Sequence, residues 1–219
     1  MPVRKIPPNY LFVTGKSCSK KNGRMIGTEA NLEPDFVELL NFDRNVIKFE
    51  EQPVRIEYEI RPGVWSRYTP DMLVYYRDLA SPNGEKIVLY EIKKRDLIKK
   101  EWPAYRPKFK AAYRYARERD WYFKLVTDRE IRTSYLDNVK RLNHQIKNVP
   151  TPHIKDSILA VVESAPAVTI QHLINSLSQN GLDRAHVLSG IWYLLAAGLL
   201  STNLHIPILM SSYINLTKE

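Results

Sequence analysis

Several features of other protein classes are missing from the sequence, and each absence narrows the possible functions. Cys18 is the only cysteine among 219 residues, which excludes an intrachain disulfide and a thiolate metal cluster. No segment approaches the roughly 18 apolar residues of a membrane span, and the start, "MPVRKIPPNY", lacks the apolar core of a secretory signal. The five histidines show no convergent spacing, so we expect no zinc site. The sequence therefore predicts a soluble protein of a reducing compartment, the cytoplasm.

Charge of one sign dominates the first two thirds of the chain, where cations outnumber acids, and this imbalance predicts a class of partner. The formal net charge is +9. Residues 151–219 contain three cations and four acids, a net charge of −1, so residues 1–150 carry +10. A basic first part predicts contact with nucleic acid, and a nearly neutral second part predicts some other partner. The alternative from charge alone is a merely soluble basic enzyme.

Hydrophobic periodicity predicts an α/β domain over residues 1–150. A helix is expected from Thr28 or Asn31 through "TEANLEPDFVELLNF". "VIKFEEQPVRIEYEI" alternates like a strand and is interrupted at Pro53. Two β-rich runs, "WSRYTPDMLVYYRD" and "EKIVLYEIKK", are joined by a segment whose Asn-Gly pair favours a hairpin turn. A basic helix ("PAYRPKFKAAYRYARERD"), a short strand ("WYFKLVTD") and another helix follow.

Two prolines near residue 150 indicate a linker, and the periodicity changes after it. Three short amphipathic helices are expected, the last capped by Asp183 and ended near Gly198. The following "LLSTNLHIPILMSSYINL" resembles a β-ribbon. Three helices and a two-stranded wing are the order of a winged-helix domain, so we expect two domains, 1–150 and 151–219.

The residues that indicate chemistry lie on the two strands of the predicted hairpin. Side chains alternate between the faces of a strand, so Glu91 and Lys93 share one face. With a turn around residues 82–83, Asp71 is expected nearly opposite Lys93 and diagonal to Glu91, with Cβ atoms about 7–8 Å apart. Two carboxylates at this range repel each other, and one protonates, unless they hold a cation.

Pro70-Asp71 followed by Glu91-Ile92-Lys93 is the PD-(D/E)xK nuclease pattern. Carboxylates at this spacing suit Mg²⁺, which stabilises developing negative charge on a phosphodiester and lowers the pKa of its bound water. Lys93 is expected to orient that water or to neutralise the scissile phosphate. The sequence therefore predicts a restriction-endonuclease-like fold with a metal-dependent nuclease site.

Many such nucleases add a third acid from a helix before the hairpin. Glu29, Glu33 and Glu38 are the candidates here. Glu33 neighbours Phe36 and Leu40 on the inward side of the helix. Because an acid that faces a core needs a cation or a donor, Glu33 is the preferred ligand.

With these motifs in place, the chain resembles the TnsA family, the endonuclease subunits of heteromeric bacterial transposases. The resemblance rests on "NLEPDFVELLNFDRNVIKFEEQPV", "YTPDMLVYY" and "YEIKK". It implies an active site of Glu33, Asp71 and Lys93, with the carbonyl of Ile92 as a further metal ligand. The family often has glutamine two residues before the lysine, whereas this chain has Glu91. That departure restores a full acidic pattern for Mg²⁺, with Mn²⁺ as a substitute.

The resemblance also implies a function and partners. Such a subunit nicks double-stranded DNA at the 5′ ends of a transposon, while an integrase-type transposase subunit cuts the 3′ ends. The C-terminal domain resembles a docking surface for an AAA+ ATPase that selects the target. The short chain suggests the compact versions in CRISPR-associated transposons. The alternatives are a restriction-type or junction-resolving nuclease of the same fold and a DNA-binding assembly factor with a vestigial site.

Cations outside the catalytic pattern are candidates for contacts with DNA phosphates, with a solvated surface as the alternative. Gln52 either touches the site or DNA or is an ordinary strand residue. The candidate DNA-binding residues are Lys16, Lys20, Lys21, Arg24, Lys94, Arg95, Arg106, Lys108 and Lys110. The tyrosines of the basic helix are expected to pack rather than to stack on bases.

Overall fold

The chain divides into two compact units, Met1–Arg132 and Thr133–Glu219. The computed structural model describes residues 15–19, 21–28, 32–165 and 167–217. The sequence predicts a boundary after residue 150, but the units divide earlier because the helix Ser134–Gln145 packs against the helix Arg184–Ala196. Both units combine helices and strands, which confirms the predicted α/β class. No helix in the described ranges is long and apolar enough to cross a membrane.

The first unit is built around a sheet with helices on it. Its strands are β1 (Gly15–Ser19), β2 (Arg24–Thr28), β3 (Val46–Glu51), β4 (Ile56–Arg61), β5 (Val64–Tyr68), β6 (Met72–Arg77), β7 (Glu85–Lys93) and β8 (Tyr122–Thr127). Its helices are α1 (Glu33–Phe42), α2 (Arg95–Lys100), α3 (Trp102–Arg117) and α4 (Asp128–Ile131). The central sheet has the order β3-β6-β7-β8, with β7 and β8 parallel and the other neighbours antiparallel. Two hairpins, β1-β2 and β4-β5, complete the unit.

The hairpin of β6 and β7 has a different register from the predicted one. Met72 pairs with Tyr90 and Arg77 with Glu85, which brings Asp71 level with Glu91 instead of Lys93. The connection is a loop from Asp78 to Gly84, closed by a hydrogen bond from the Asp78 N–H to the Gly84 carbonyl. Gly84 has φ 68°, so it ends this longer loop in a left-handed conformation and the two-residue turn does not form.

The two faces of the central sheet pack against different elements. On one face Leu73 and Leu89 belong to a buried cluster with Ala112 of α3 and Tyr68 at the end of β5. On the other face α1 packs through Phe36, whose ring centroid lies 5.0 Å from that of Tyr90. Because side chains alternate along β7, the face that carries Leu89 also carries Glu91 and Lys93. The predicted site therefore lies on the face covered by α3.

The second unit contains the three predicted helices and the ribbon, together with a helix that was expected in the first domain and a short strand that was not predicted. Its elements are α5 (Ser134–Gln145), α6 (Pro152–Ser164), β9 (Val168–Thr169), α7 (Ile170–Gln179), α8 (Arg184–Ala196), β10 (Leu200–Ser201) and β11 (Tyr213–Leu216). Asp183 caps α8 by accepting the His186 N–H at 2.9 Å, and Gly198 follows the helix with φ 58°, as predicted. The predicted ribbon is β10 with β11, and β11 also pairs with β9.

Candidate active site

Three of the predicted site residues meet at the end of the β6-β7 hairpin. The Lys93 ammonium lies 3.0 Å from Glu91 Oε1 and 3.3 Å from Asp71 Oδ2. The Glu91 side chain is 3% exposed, that of Asp71 12% and that of Lys93 28%. Two carboxylates therefore share one ammonium group, and Lys93 connects the buried pair with solvent. The cluster has an excess of one negative charge when both acids are ionised.

Backbone hydrogen bonds fix Asp71 at the edge of the sheet. Its N–H donates to the Tyr90 carbonyl at 3.1 Å, and its own carbonyl accepts the Gln52 N–H at 2.9 Å. The N–H of Ile92 donates to Asp71 Oδ2 at 2.6 Å, so the carboxylate ends the ladder between the two strands. The backbone of Asp71 is therefore held by β7 and by the residue that follows β3, and β7 also orients its carboxylate.

Tyr68 is a site residue that the sequence did not predict. Its hydroxyl donates to Glu91 Oε2 at 2.5 Å, and the residue is 8% exposed. Burial and the negative charge of Glu91 raise the pKa of Tyr68, which keeps the hydroxyl a donor. Tyr68 ends β5, a strand outside the central sheet, and no spacing rule relates it to Glu91.

The pKa values of Glu91 and Lys93 are both raised, for different reasons. Burial, followed by repulsion from Asp71, raises the pKa of Glu91 to about 7. Burial opposes the charge on Lys93, but attraction to Asp71 and Glu91 outweighs it and raises the pKa of Lys93. At neutral pH the ammonium is charged and Glu91 titrates. One of the two acids thus holds a proton more readily than usual, as expected for paired carboxylates without a metal.

Glu33 is the first residue of α1. Glu33 is buried, with 6% of its surface exposed. Among the described residues no group of three or more His, Cys, Asp and Glu side chains is arranged to hold a metal ion. The structure therefore brings Asp71, Glu91 and Lys93 together, and it does not bring Glu33 into a metal-binding group with them.

The donor set of the cluster fits a hard divalent cation. Asp71 and Glu91 offer carboxylate oxygens, the ligands that Mg²⁺ prefers, and both already surround one cationic group. The raised pKa of Glu91 means that burial and Asp71 disfavour its ionised form, and an additional positive charge would remove that cost. Two carboxylates are also a ligand number with which Mg²⁺ keeps several waters.

Gln52, next to the cluster, has an unfavourable backbone conformation. It adopts φ 44°, a left-handed conformation that costs a residue with a side chain about 1 kcal/mol or more. The residue is 7% exposed, and its side-chain oxygen finds no hydrogen-bond partner among the described residues. Its N–H holds the carbonyl of Asp71. Strain beside Asp71 is typical of a functional site, and it favours the first of the two interpretations of this residue.

Two family models match the chain and span most of its length. The model described as the TnsA-like endonuclease N terminal matches residues 43–128, and the one described as the TnsA endonuclease C terminal matches residues 130–204. The chain belongs to the TnsA endonuclease family. The comparison with curated proteins returned no match.

Membership in the TnsA family makes the chain an endonuclease subunit of a transposase. It also implies a DNA substrate and a partner transposase subunit. The N-terminal match contains Asp71, Glu91 and Lys93, whereas Glu33 lies before its first residue. The boundary between the two matches falls close to the division between the two compact units.

The predicted DNA-binding residues of this TnsA-family chain differ in whether their side chains already form ion pairs within the protein. Arg24 forms a bidentate ion pair with Glu51, with both nitrogen–oxygen distances 2.7 Å. Arg95 lies 3.4 Å from Glu130, and its N–H donates to Asp128. Arg24 is therefore occupied in holding the fold, whereas the side chain of Arg95 has only an exposed ion pair.

The remaining candidates divide into exposed and shielded side chains. Lys94, Arg106 and Lys110 are exposed. Lys108 is half-buried over the ring of Tyr105, and burial lowers the pKa of Lys21. The side chain of Lys16 and the whole of Lys20 lie outside the described residues.

Proposed function

We propose that this chain hydrolyses phosphodiesters at the 5′ ends of a transposon in a reaction that depends on Mg²⁺, with Mn²⁺ as a substitute. Asp71 and Glu91 supply two ligands, and the resemblance adds Glu33 and the carbonyl of Ile92. The observation that carries the proposal is the meeting of Asp71 and Glu91 at Lys93 on adjacent strands. This meeting supports a PD-(D/E)xK site in a restriction-endonuclease-like core.

The bound cation would neutralise charge developing on the phosphate and lower the pKa of the attacking water. Asp71 is suited to hold it because two strands fix its backbone and Ile92 orients its carboxylate. Glu91 is oriented by the hydroxyl of Tyr68, which occupies Oε2 and leaves Oε1 directed at the cluster. The protein therefore fixes the ligands before substrate arrives.

Lys93 is the group of the cluster with access to substrate. Its raised pKa keeps it positively charged through the neutral range. A charged donor beside the two carboxylates can orient the attacking water and can stabilise the negative charge that develops on the phosphate. Its 28% exposed side chain allows it to contact the phosphate from the cluster.

The second unit, as the winged-helix-like domain of the prediction, would dock an AAA+ ATPase that selects the target. Residues 151–219 carry a net charge of −1, and residues 185–200, most of α8, contain no cation that could track DNA. Ile206, Leu209 and Met210 are exposed apolar side chains in the loop between β10 and β11. Their replacement by serine should weaken capture of the ATPase and leave DNA cleavage by the assembled transposase unchanged.

The cleavage activity is tested in a reconstituted reaction with the partner transposase subunit and end-labelled transposon DNA. Asp71→Asn should reduce cleavage at the 5′ ends at least about a hundredfold and leave cleavage at the 3′ ends intact. Asp78→Asn, beyond the opposite end of β6, is the matched control, because the Asp78 carboxylate accepts the Ala80 N–H within the hairpin loop. Undiminished 5′ cleavage by Asp71→Asn, or full activity in EDTA, would end the proposal.

A further inference from the structure

An open groove of about 610 Å³ runs along the exposed face of α3. Its lining residues are Trp102, Arg106, Phe109, Lys110, Tyr113 and Arg114. Four of them recur every four residues, so they form one stripe along the helix. Trp102 is 46% exposed and Tyr113 is 54% exposed, which is unusual for side chains of this size. This α3 groove combines aromatic surface with positive charge.

The α3 groove carries an excess of positive charge. Arg106, Lys110 and Arg114 form no ion pair with a carboxylate within the described part of the chain. Glu59 of β4 lies beside these cations, and its side chain accepts the Gly63 N–H at 2.7 Å. Three cations against one acid favour a polyanion as the occupant.

Aromatic contacts hold the α3 groove on a helix that packs against the sheet. The floor residue Phe109 lies 6.2 Å from Trp102 and is stacked on Tyr105 with ring centroids 5.5 Å apart. α3 begins at Trp102, and its Ala112 packs in one cluster with Leu89 on the face of β7 that also carries Glu91 and Lys93. The helix that lines the groove therefore covers the sheet face that carries the residues proposed to cut DNA.

We propose that the α3 groove binds an unpaired stretch of the DNA strand beside the cleavage site, with bases on Trp102 and Tyr113 and phosphates on the neighbouring cations. Exposed rings that alternate with cations are typical of surfaces for single-stranded nucleic acid, because every base has a face that can stack. Bases in a duplex are already stacked on one another, so a duplex would use the cations alone. The inference rests on the proposed function, since DNA cleavage explains why such a strand is present.

The experiment measures binding of the full-length protein to a labelled oligothymidine of about 12 nucleotides, a length within the range of single-stranded sites. A duplex of the same length is measured in parallel, and both titrations contain EDTA. The test variant combines Trp102→Ala with Tyr113→Ala. Tyr213→Ala removes a similarly exposed tyrosine from the second unit and serves as the matched control. Trp102→Phe keeps an aromatic ring.

The double variant should bind oligothymidine about tenfold to a hundredfold more weakly and the duplex within about twofold of the unchanged protein. Trp102→Phe should recover most of the loss due to Trp102→Ala. Equal losses for both DNA forms, or no loss, would overturn the proposal. Weaker binding of the partner subunit with unchanged oligothymidine affinity would assign the groove to a protein and overturn it too. Because EDTA prevents metal-dependent cleavage, a failure of the proposed hydrolysis would leave this result unaffected.

Discussion

Replacement of Glu91 by glutamine removes a charge from the buried centre of the site and keeps the shape of the side chain. In the absence of a metal, the folded protein holds the pKa of Glu91 at about 7, against an ordinary value of 4.5. The folded state therefore binds this proton more tightly than the unfolded state does. The corresponding stability is fully present below pH 4.5 and is lost as the pH rises through about 7.

The size of the effect follows from the difference between the two pKa values. The rise in the pKa of Glu91 from 4.5 to about 7 corresponds to about 3 kcal/mol. Above pH 7, ionised Glu91 lowers the unfolding free energy of the metal-free protein by this amount. Glutamine keeps an oxygen for the hydroxyl of Tyr68, but its NH₂ group then faces the ammonium of Lys93. That contact between two donors costs about 1 kcal/mol and reduces the gain from removing the charge. Glu91→Gln should therefore stabilise the protein by about 2 kcal/mol at pH 8.

Urea denaturation in EDTA measures this difference at pH 8 and again at pH 5. The gain should be present at pH 8 and largely absent at pH 5, where Glu91 is already protonated. Glu85→Gln is the matched control at the exposed start of β7, and it should change the unfolding free energy by less than about 0.5 kcal/mol at either pH. A Glu91→Gln protein that is less stable than the unchanged protein at pH 8 would refute the raised pKa of Glu91, whose buried charge Lys93 compensates only in part.

Three further changes test separate contacts around the site. Tyr68→Phe removes a donor that lowers the pKa of Glu91, so the rising limb of cleavage rate against pH should move to higher pH; an unchanged profile would contradict this. Arg24→Ala leaves the buried carboxylate of Glu51 without its partner and should cost about 2 kcal/mol in thermal or urea unfolding, because Arg24 is partly exposed; a cost below about 0.5 kcal/mol would contradict it. Gln52→Gly relieves the left-handed backbone and should stabilise the protein by about 1 kcal/mol while slowing cleavage; a loss of stability would contradict it.

Local sequence patterns predicted three side chains that meet at the end of the β6-β7 hairpin. Strand alternation and the short motif placed Asp71, Glu91 and Lys93 on one face of a hairpin, and the structure brings these three together. The predicted register of the β6-β7 hairpin was wrong, because it placed Asp71 nearly opposite Lys93. The length of the hairpin loop sets the register, and it depends on which residue takes the left-handed conformation. Gly84 takes it, and Asp71 consequently lies level with Glu91.

Contacts between elements distant in the chain were beyond such patterns. Tyr68 reaches Glu91 from a hairpin outside the central sheet, and Arg24 pairs with Glu51 across 27 positions of sequence. Neither contact follows from periodicity, because periodicity reports the face of an element and not its neighbour. The exposure of Tyr113 was also missed for this reason, since the tyrosines of α3 were expected to pack.

The most direct test of the metal site is anomalous diffraction from crystals grown with Mn²⁺. We expect a peak at bonding distance, about 2 Å, from a carboxylate oxygen of Asp71 and another of Glu91, with the Lys93 ammonium displaced toward solvent. The same peak should be missing in Asp71→Asn crystals. A Mn²⁺ peak away from both carboxylates, or none at a saturating concentration, would contradict the account of a metal-dependent nuclease.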